Sequence, residues 1–169
     1  LAFADLNQDG LPDILAGNLG TNSLMQASPE QPVYLYLGDF DENGFVDPLI
    51  FFHYFGRYVP LGSRDKLLTQ LPGLKREFVS YDAYAQVSQF EQLLPAGQEL
   101  LVETKQVNEL RSMAFLSIPG GGYEPVPLPA EVQRGKVQDW LWDRTAQQLY
   151  YVCSQGELAA VRGNSLSAT

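Results

Sequence analysis

Along residues 1–62 the apolar positions come in short runs, broken by polar, glycine-rich turns. "LAFADL" and "DILAGNLG" are separated by one such turn, and "PVYLYLGDF" and "VDPLIFFHYFGRYV" by another. The last two runs are β-branched and aromatic, and runs of this length and make-up predict strands. Gly17, Asn18, Gly20 and Asn22 mark a turn-rich connection after the first pair.

Residues 63–95 change period. Leu67, Leu68, Leu71 and Leu74 recur at helical spacing behind Ser63, a good N-cap, with Asp65 in the first turn to oppose the helix dipole. Ser80 and Asp82 open a second segment that carries Tyr84, Val87, Phe90 and Leu94 and stops at Pro95. The pattern predicts two or three short helices inserted between strands, capping a sheet edge or else serving a binding role of their own. From residue 96 to 169 strand signals return. "ELLVETKQV" and "ELRSMAFLSI" flank a turn at Asn108, "GGGYEPVPLP" is a glycine turn followed by an extended run, and "LYYVCSQGELAAVRG" reads as a hairpin closed at "SQG". The expected organisation is a mainly β chain in three segments: β repeats over 1–62, a helical insert over 63–95, and further β structure over 96–169.

The two turns of the first segment share a spacing. "DLNQDGLPD" places Asp5, Asn7, Asp9, Gly10 and Asp13 as "DFDENGFVD" places Asp39, Asp41, Asn43, Gly44 and Asp47. Alternate residues of a tight loop can aim their side-chain oxygens at one centre, and a glycine in sixth place lets the backbone turn sharply. Leu11 and Phe45, in seventh place, would add a main-chain carbonyl, and Asp13 and Asp47 would close the shell. Calcium takes about 6–8 oxygen ligands at roughly 2.3–2.6 Å, whereas magnesium dehydrates reluctantly and seldom uses an all-protein cage. An EF-hand does not fit. Its twelfth position is a bidentate Glu, here Ala16 and Ile50, and its flanks are helices rather than strands. Such spacing also occurs in acidic turns that hold no ion, but its repetition favours an ion.

These loops, with "DILAGNLGTNS" after the first, resemble the FG-GAP/VCBS-type repeats of calcium-binding β-propellers. Over residues 1–95 the runs "PVYLYLGDFDENGFVDPLI" and "SRDKLLTQLPGLKREFVSYDAYA" resemble integrin-α-like and ASPIC/UnbV-like bacterial surface proteins. The resemblance implies a partial β-propeller of FG-GAP-like blades with a short helical insert, and calcium held in the loops between strands. It also implies an extracellular or outer-membrane setting, and it brings no catalytic residue. The expected role is adhesion or the binding of carbohydrate or another surface protein; the alternative is an accessory part of a surface polysaccharide-degrading enzyme. The spacing from Asp5 to Asp39 is 34 residues, shorter than the roughly 40–45 of a four-stranded blade. In "KVQDWLWDRTAQQLYYV" a further calcium loop would fall. Asp139 and Asp143 are present, but Trp140, Leu141 and Trp142 lie between them without a glycine, so a turn is expected there instead.

Charge sharpens the picture. A formal net charge of −9 opposes binding to nucleic acid, which needs a basic surface, and to anionic membrane surfaces. No apolar run is long enough to span a bilayer as a helix. Eight loop side chains are candidate ligands and six of them are Asp, so bound calcium would neutralise part of the charge. The lone Cys153 forms no internal disulfide, and its apolar surroundings predict a buried structural thiol. His53 is the single histidine. No G-x-S-x-G elbow accompanies it, and the strongest carboxylate clusters are committed to the loops, so no enzyme is expected. The chain opens at Leu1, almost inside the first loop, which reads as a piece of a longer protein. Its expected partners beyond calcium are the rest of a propeller or a second copy of itself.

Overall fold

The apolar runs form antiparallel strands in a computed structural model that describes residues 1–94, 102–155 and 165–168. In chain order the strands are β1 (Ala2–Ala4), β2 (Asp13–Ala16), β3 (Val33–Gly38), β4 (Asp47–Tyr54), β5 (Arg57–Pro60), β6 (Glu103–Val107), β7 (Met113–Ser117), β8 (Tyr123–Pro127), β9 (Lys136–Asp143), β10 (Gln148–Gln155) and β11 (Ser165–Ala168). Between β5 and β6 lie two short helices, α1 (Arg64–Gln70) and α2 (Tyr81–Ala85), and 3₁₀ turns at Pro72–Arg76 and Phe90–Leu93. A further 3₁₀ turn spans Val132–Arg134. The chain is mainly β and divides into two compact units, Leu1–Leu24 with Leu110–Thr169, and Met25–Glu109. These units cut across the segments 1–62, 63–95 and 96–169 read from the sequence.

The first unit holds two sheets, a four-stranded one in the order β1-β2-β7-β8 and a three-stranded one in the order β11-β10-β9. Taken without the second unit, the four-stranded sheet is an up-and-down meander. The second unit enters between β2 and β7, which pair with Ile14 opposite Phe115. This accounts for the short 34-residue spacing. The second loop does not follow a completed sheet, because β7 and β8 reach the first sheet only after residue 112. It also corrects the reading around Asn108: β6 and β7 do not face each other across a turn but belong to different sheets. The hairpin of β10 with β11 pairs Ser154 with Leu166 and Gln155 with Ser165, so Ser154 and Gln155 continue the strand and the hairpin does not close at "SQG" as its sequence suggested; the residues joining the two strands lie outside the described ones. Edge strand β8 is blunted by Pro125 and Pro127, which cannot donate to a neighbouring strand.

A turn-rich segment closes the first sheet. Gly20 N–H donates to Leu110 O at 2.7 Å, and Thr21 and Asn22 N–H donate to Gln133 O at 2.9 and 3.2 Å. The Gln133 side chain, 5% exposed, meets the Ser112 backbone twice: its Oε1 accepts from Ser112 N–H at 2.8 Å and its Nε2 donates to Ser112 O at 2.9 Å. Ser112 Oγ in turn accepts from Asn18 N–H at 3.0 Å. Each buried polar group of the clamp finds a partner, as burial requires.

The second unit is a four-stranded sheet, β5-β4-β3-β6, with helices on one face. Register sets that face: Tyr34 lies opposite Phe51 and Tyr36 opposite Leu49. Onto these side chains pack Leu67 and Leu68 of α1, Leu71, Leu74, Phe78, Val87, and Phe90 and Leu93 of the last 3₁₀ turn. Phe90 stacks on Tyr36 with ring centroids 4.1 Å apart. Ser63 and Ser80 cap the helices, accepting from Lys66 and Ala83 N–H. The helical segment therefore covers a sheet face and not an edge. Its leucines carry too much apolar surface for an edge, where the unpaired groups are backbone polar ones.

Tyr84 shows how this layer is held. Its hydroxyl donates to Gly62 O, and burial pushes its pKa up to about 12. A raised folded-state value means that the neutral phenol's contribution is intact below the ordinary value near 10 and is lost as pH rises toward 12. Denaturation midpoints are expected to hold steady up to about pH 10 and to fall above it. Tyr84→Phe should lose part of that fall; an identical alkaline profile in the variant would show that Tyr84 does not contribute. Tyr36 and Tyr58 shift upward as well, chiefly through burial.

Candidate metal centres

The two acidic loops are hairpin connections of the same length and register. β1 and β2 pair with Ala4 opposite Asp13, and β3 and β4 pair with Gly38 opposite Asp47. Short strands on each side thus bring the first and last acidic residues of each loop together. Inside the loops the backbone repeats itself. Gln8 and Glu42 take left-handed φ of 63° and 59°, and Gly10 and Gly44 take 85° and 87°. A Cβ on either glycine would meet nothing within 4 Å, so the turn needs glycine for its φ and not for space.

The hydrogen bonds repeat too. Asp5 accepts from Asp9 and Gly10 N–H, both at 3.1 Å. Asp39 accepts from Asn43 and Gly44 N–H at 2.9 and 2.8 Å. Asp9 Oδ1 accepts from Leu11 N–H at 2.7 Å, and Asn43 Oδ1 from Phe45 N–H at 2.8 Å. The closing carboxylates are the buried ones, Asp13 at 0% and Asp47 at 7% exposure. Each accepts at Oδ2 from the N–H of the second residue of its own loop, Leu6 at 2.8 Å and Phe40 at 3.2 Å.

The loops differ at two points. The third and fifth positions exchange Asp and Asn: Asn7 and Asp9 in the first loop, Asp41 and Asn43 in the second. In the first loop Asn7 Nδ2 donates to Asp9 Oδ2 at 2.9 Å, so these side chains satisfy each other. In the second, one oxygen from each of Asp39, Asp41 and Asp47 lies within 4.8 Å of the others. Asp41 Oδ1 is shut off from solvent and has no hydrogen-bond partner. An orphaned buried carboxylate oxygen among two further carboxylates is costly as it stands, because burial and like charge both disfavour it. A hard divalent cation removes both costs, so this loop's donor set fits calcium. The second difference is the support of the closing carboxylate. Asp13 Oδ1 accepts from the main-chain N–H of Ser117 on β7 at 2.8 Å. Asp47 Oδ1 accepts from the side-chain amide of Gln70 on α1 at 3.2 Å.

Leu11 and Phe45, expected to offer carbonyls, use their N–H groups within the loops, and the Phe45 side chain is 77% exposed. Asp139 and Asp143 stand on β9 with the two tryptophans between them. The turn that follows is held by Asp143 Oδ1, which accepts from Thr145 and Ala146 N–H. His53 sits on β4 with its ring edge-on to Tyr58, centroids 5.7 Å apart. Beside the first loop lies an open cleft of about 380 Å³, lined among others by Phe3, Asp5, Gln8, Trp142, Arg144 and Gln147. Among the described residues no helix is long and apolar enough to cross a membrane.

Gln70 and Ser117 were not legible as parts of these centres. Gln70 lies 23 residues from Asp47 and Ser117 lies 104 from Asp13, and neither carries a residue type that marks a metal site. Comparisons with protein-family models, with curated proteins and with solved structures found no match.

Proposed function

We propose that this chain is a non-catalytic calcium-binding β module, with ions in the loops 5–13 and 39–47. The observation that carries the reading is the orphaned Asp41 Oδ1, in a loop that brings Asp39, Asp41 and Asp47 together and whose backbone the first loop repeats. Asp39, Asp41, Asn43 and Asp47, with the Phe45 carbonyl, would hold one ion. Asp5, Asn7, Asp9 and Asp13, with the Leu11 carbonyl, would hold the other. Bound calcium supplies positive charge that lets three carboxylates share each loop, and the hairpin flanks then hold the strands in register.

The wider role we propose is that of a β-propeller segment of a bacterial extracellular or outer-membrane surface protein, acting in adhesion or in binding carbohydrate or protein. Four-stranded antiparallel sheets suit blades. The carbohydrate part rests on the cleft beside the first loop. Its aromatic rings suit the apolar face of a sugar, its amide, guanidinium and carboxylate groups suit hydroxyls, and its size falls within the roughly 300–1,000 Å³ of small-molecule sites.

Calorimetric titration of the calcium-stripped chain tests the core of the reading. Two sites are expected, with Asp9→Ala and Asp41→Ala each removing one. A stoichiometry that neither substitution changes would mean that the ligand assignment is wrong.

A further inference from the structure

The two loops agree at their backbone and differ in what lies behind the closing carboxylate. Behind Asp13 stands the main-chain N–H of Ser117, fixed within the β7–β8 pairing, where Ser117 lies opposite Tyr123. Behind Asp47 stands a side chain, the Gln70 amide, which also donates to Pro48 O at 3.4 Å. Gln70 is the last residue of α1. The same short helix sends Leu67 and Leu68, 3% and 6% exposed, into the core of the second unit, and Leu71 follows at 2%. The carboxylate oxygen and the helical layer are therefore joined through one rotatable amide.

We infer that Gln70 is the positioning residue of the second loop, and that it links ion binding at residues 39–47 to the docking of α1 on the sheet. The inference rests on the calcium reading proposed above. Asp47 has two oxygens and both are engaged by N–H donors, Phe40 on Oδ2 and Gln70 on Oδ1. These fix the plane of the carboxylate, so its remaining lone pairs point in set directions before an ion arrives. Outer partners of this kind typically change metal affinity about 10–100-fold when removed, because the ligand must then be oriented at the ion's expense. Linkage runs both ways: an ion that holds Asp47 also holds the amide, and with it the end of α1. The first loop has no such lever, since a main-chain donor within a strand pair is already immobile. Calcium at 39–47 should therefore quiet the helical layer, and calcium at 5–13 should not.

The test uses Gln70→Met in the full chain, which keeps side-chain length and removes the donor. Calorimetric titration with calcium, read beside Asp9→Ala and Asp41→Ala to assign the sites, should show the 39–47 site weakened about 10–100-fold and the 5–13 site unchanged. Amide exchange supplies a second readout that a merely structural role would leave alone. In the wild type, calcium should slow exchange at Leu67 and Leu71, whose N–H groups donate to Ser63 O and Leu67 O. In Gln70→Met and in Asp41→Ala that slowing should be lost, while in Asp9→Ala it should persist. Two calcium sites with unaltered affinities in Gln70→Met would overturn the positioning role and leave the ligand assignment standing. A wild-type chain that takes up no calcium would overturn both.

Discussion

Stripping calcium with a chelator is expected to lower the melting temperature of the chain by several degrees for each site that empties. The argument is electrostatic and then one of mass action. Each loop gathers three aspartates; in the second loop one oxygen from each of Asp39, Asp41 and Asp47 lies within 4.8 Å of the others, and Asp41 Oδ1 is buried without a hydrogen-bond partner. Without a cation this repulsion weighs more on the folded state, because unfolding lets the charges move further apart. With a cation present only the folded loop binds it tightly. At free calcium about 100 times the dissociation constant, binding adds about 2.7 kcal/mol per site. In a chain of this length that is roughly 5–10 °C of midpoint. Scanning calorimetry in excess calcium and in chelator should resolve the difference. Excess magnesium should recover less of it, since that ion gives up water reluctantly. Coincident traces with calcium and with chelator would remove the metal reading altogether.

Gly20→Ala is expected to unfold the first unit. Two independent constraints meet at this residue. Its φ is +81°, which side-chain-bearing residues rarely adopt, and an added Cβ would stand 2.3 Å from Gln133 O and 2.8 Å from the carbonyl carbon. Both neighbours are backbone, and that carbonyl is the one that accepts from Thr21 and Asn22 N–H. Relieving the clash means breaking those bonds and shifting the buried Gln133–Ser112 clamp. Losses above about 4 kcal/mol are exceptional for a single substitution and arise from mechanisms such as strain at a special φ and a broken buried hydrogen-bond network, both of which meet here against a total stability on the order of 5–15 kcal/mol. Gly73→Ala is the control, because a Cβ there meets nothing within 4 Å and no positive φ is imposed. Amide exchange is the suitable measurement. Protection should vanish from β2, β7 and β10 in Gly20→Ala and survive in Gly73→Ala; native-like protection in both would show that the turn can rearrange at little cost.

The acidic loops were readable because their geometry is local. Oxygens at alternate positions and a glycine where φ must be positive lie within nine residues, so spacing alone describes them, and the matching φ values of Gly10 and Gly44 follow from it. The short helices were readable for a similar reason: Ser63 and Ser80 satisfy N–H groups three residues on. The place of those helices was not. Leu67, Leu71 and Leu74 announce an apolar stripe without saying what it covers, and only the register of Tyr36 against Leu49 shows that it is a sheet face.

Sequence by itself determined the mainly β character of the chain, the two hairpin loops, and the positions where a helix starts or a glycine is required. Each depends on interactions among residues close along the chain. Tertiary structure alone decided which strands share a sheet. β2 finds β7 across an inserted unit of its own core, and β6 returns to the far side of β3, since any edge strand offers the same row of backbone donors and acceptors. It also decided which donors stand behind the buried aspartates. The Ser117 main chain and the Gln70 amide reach them through folding, over separations that no local pattern spans.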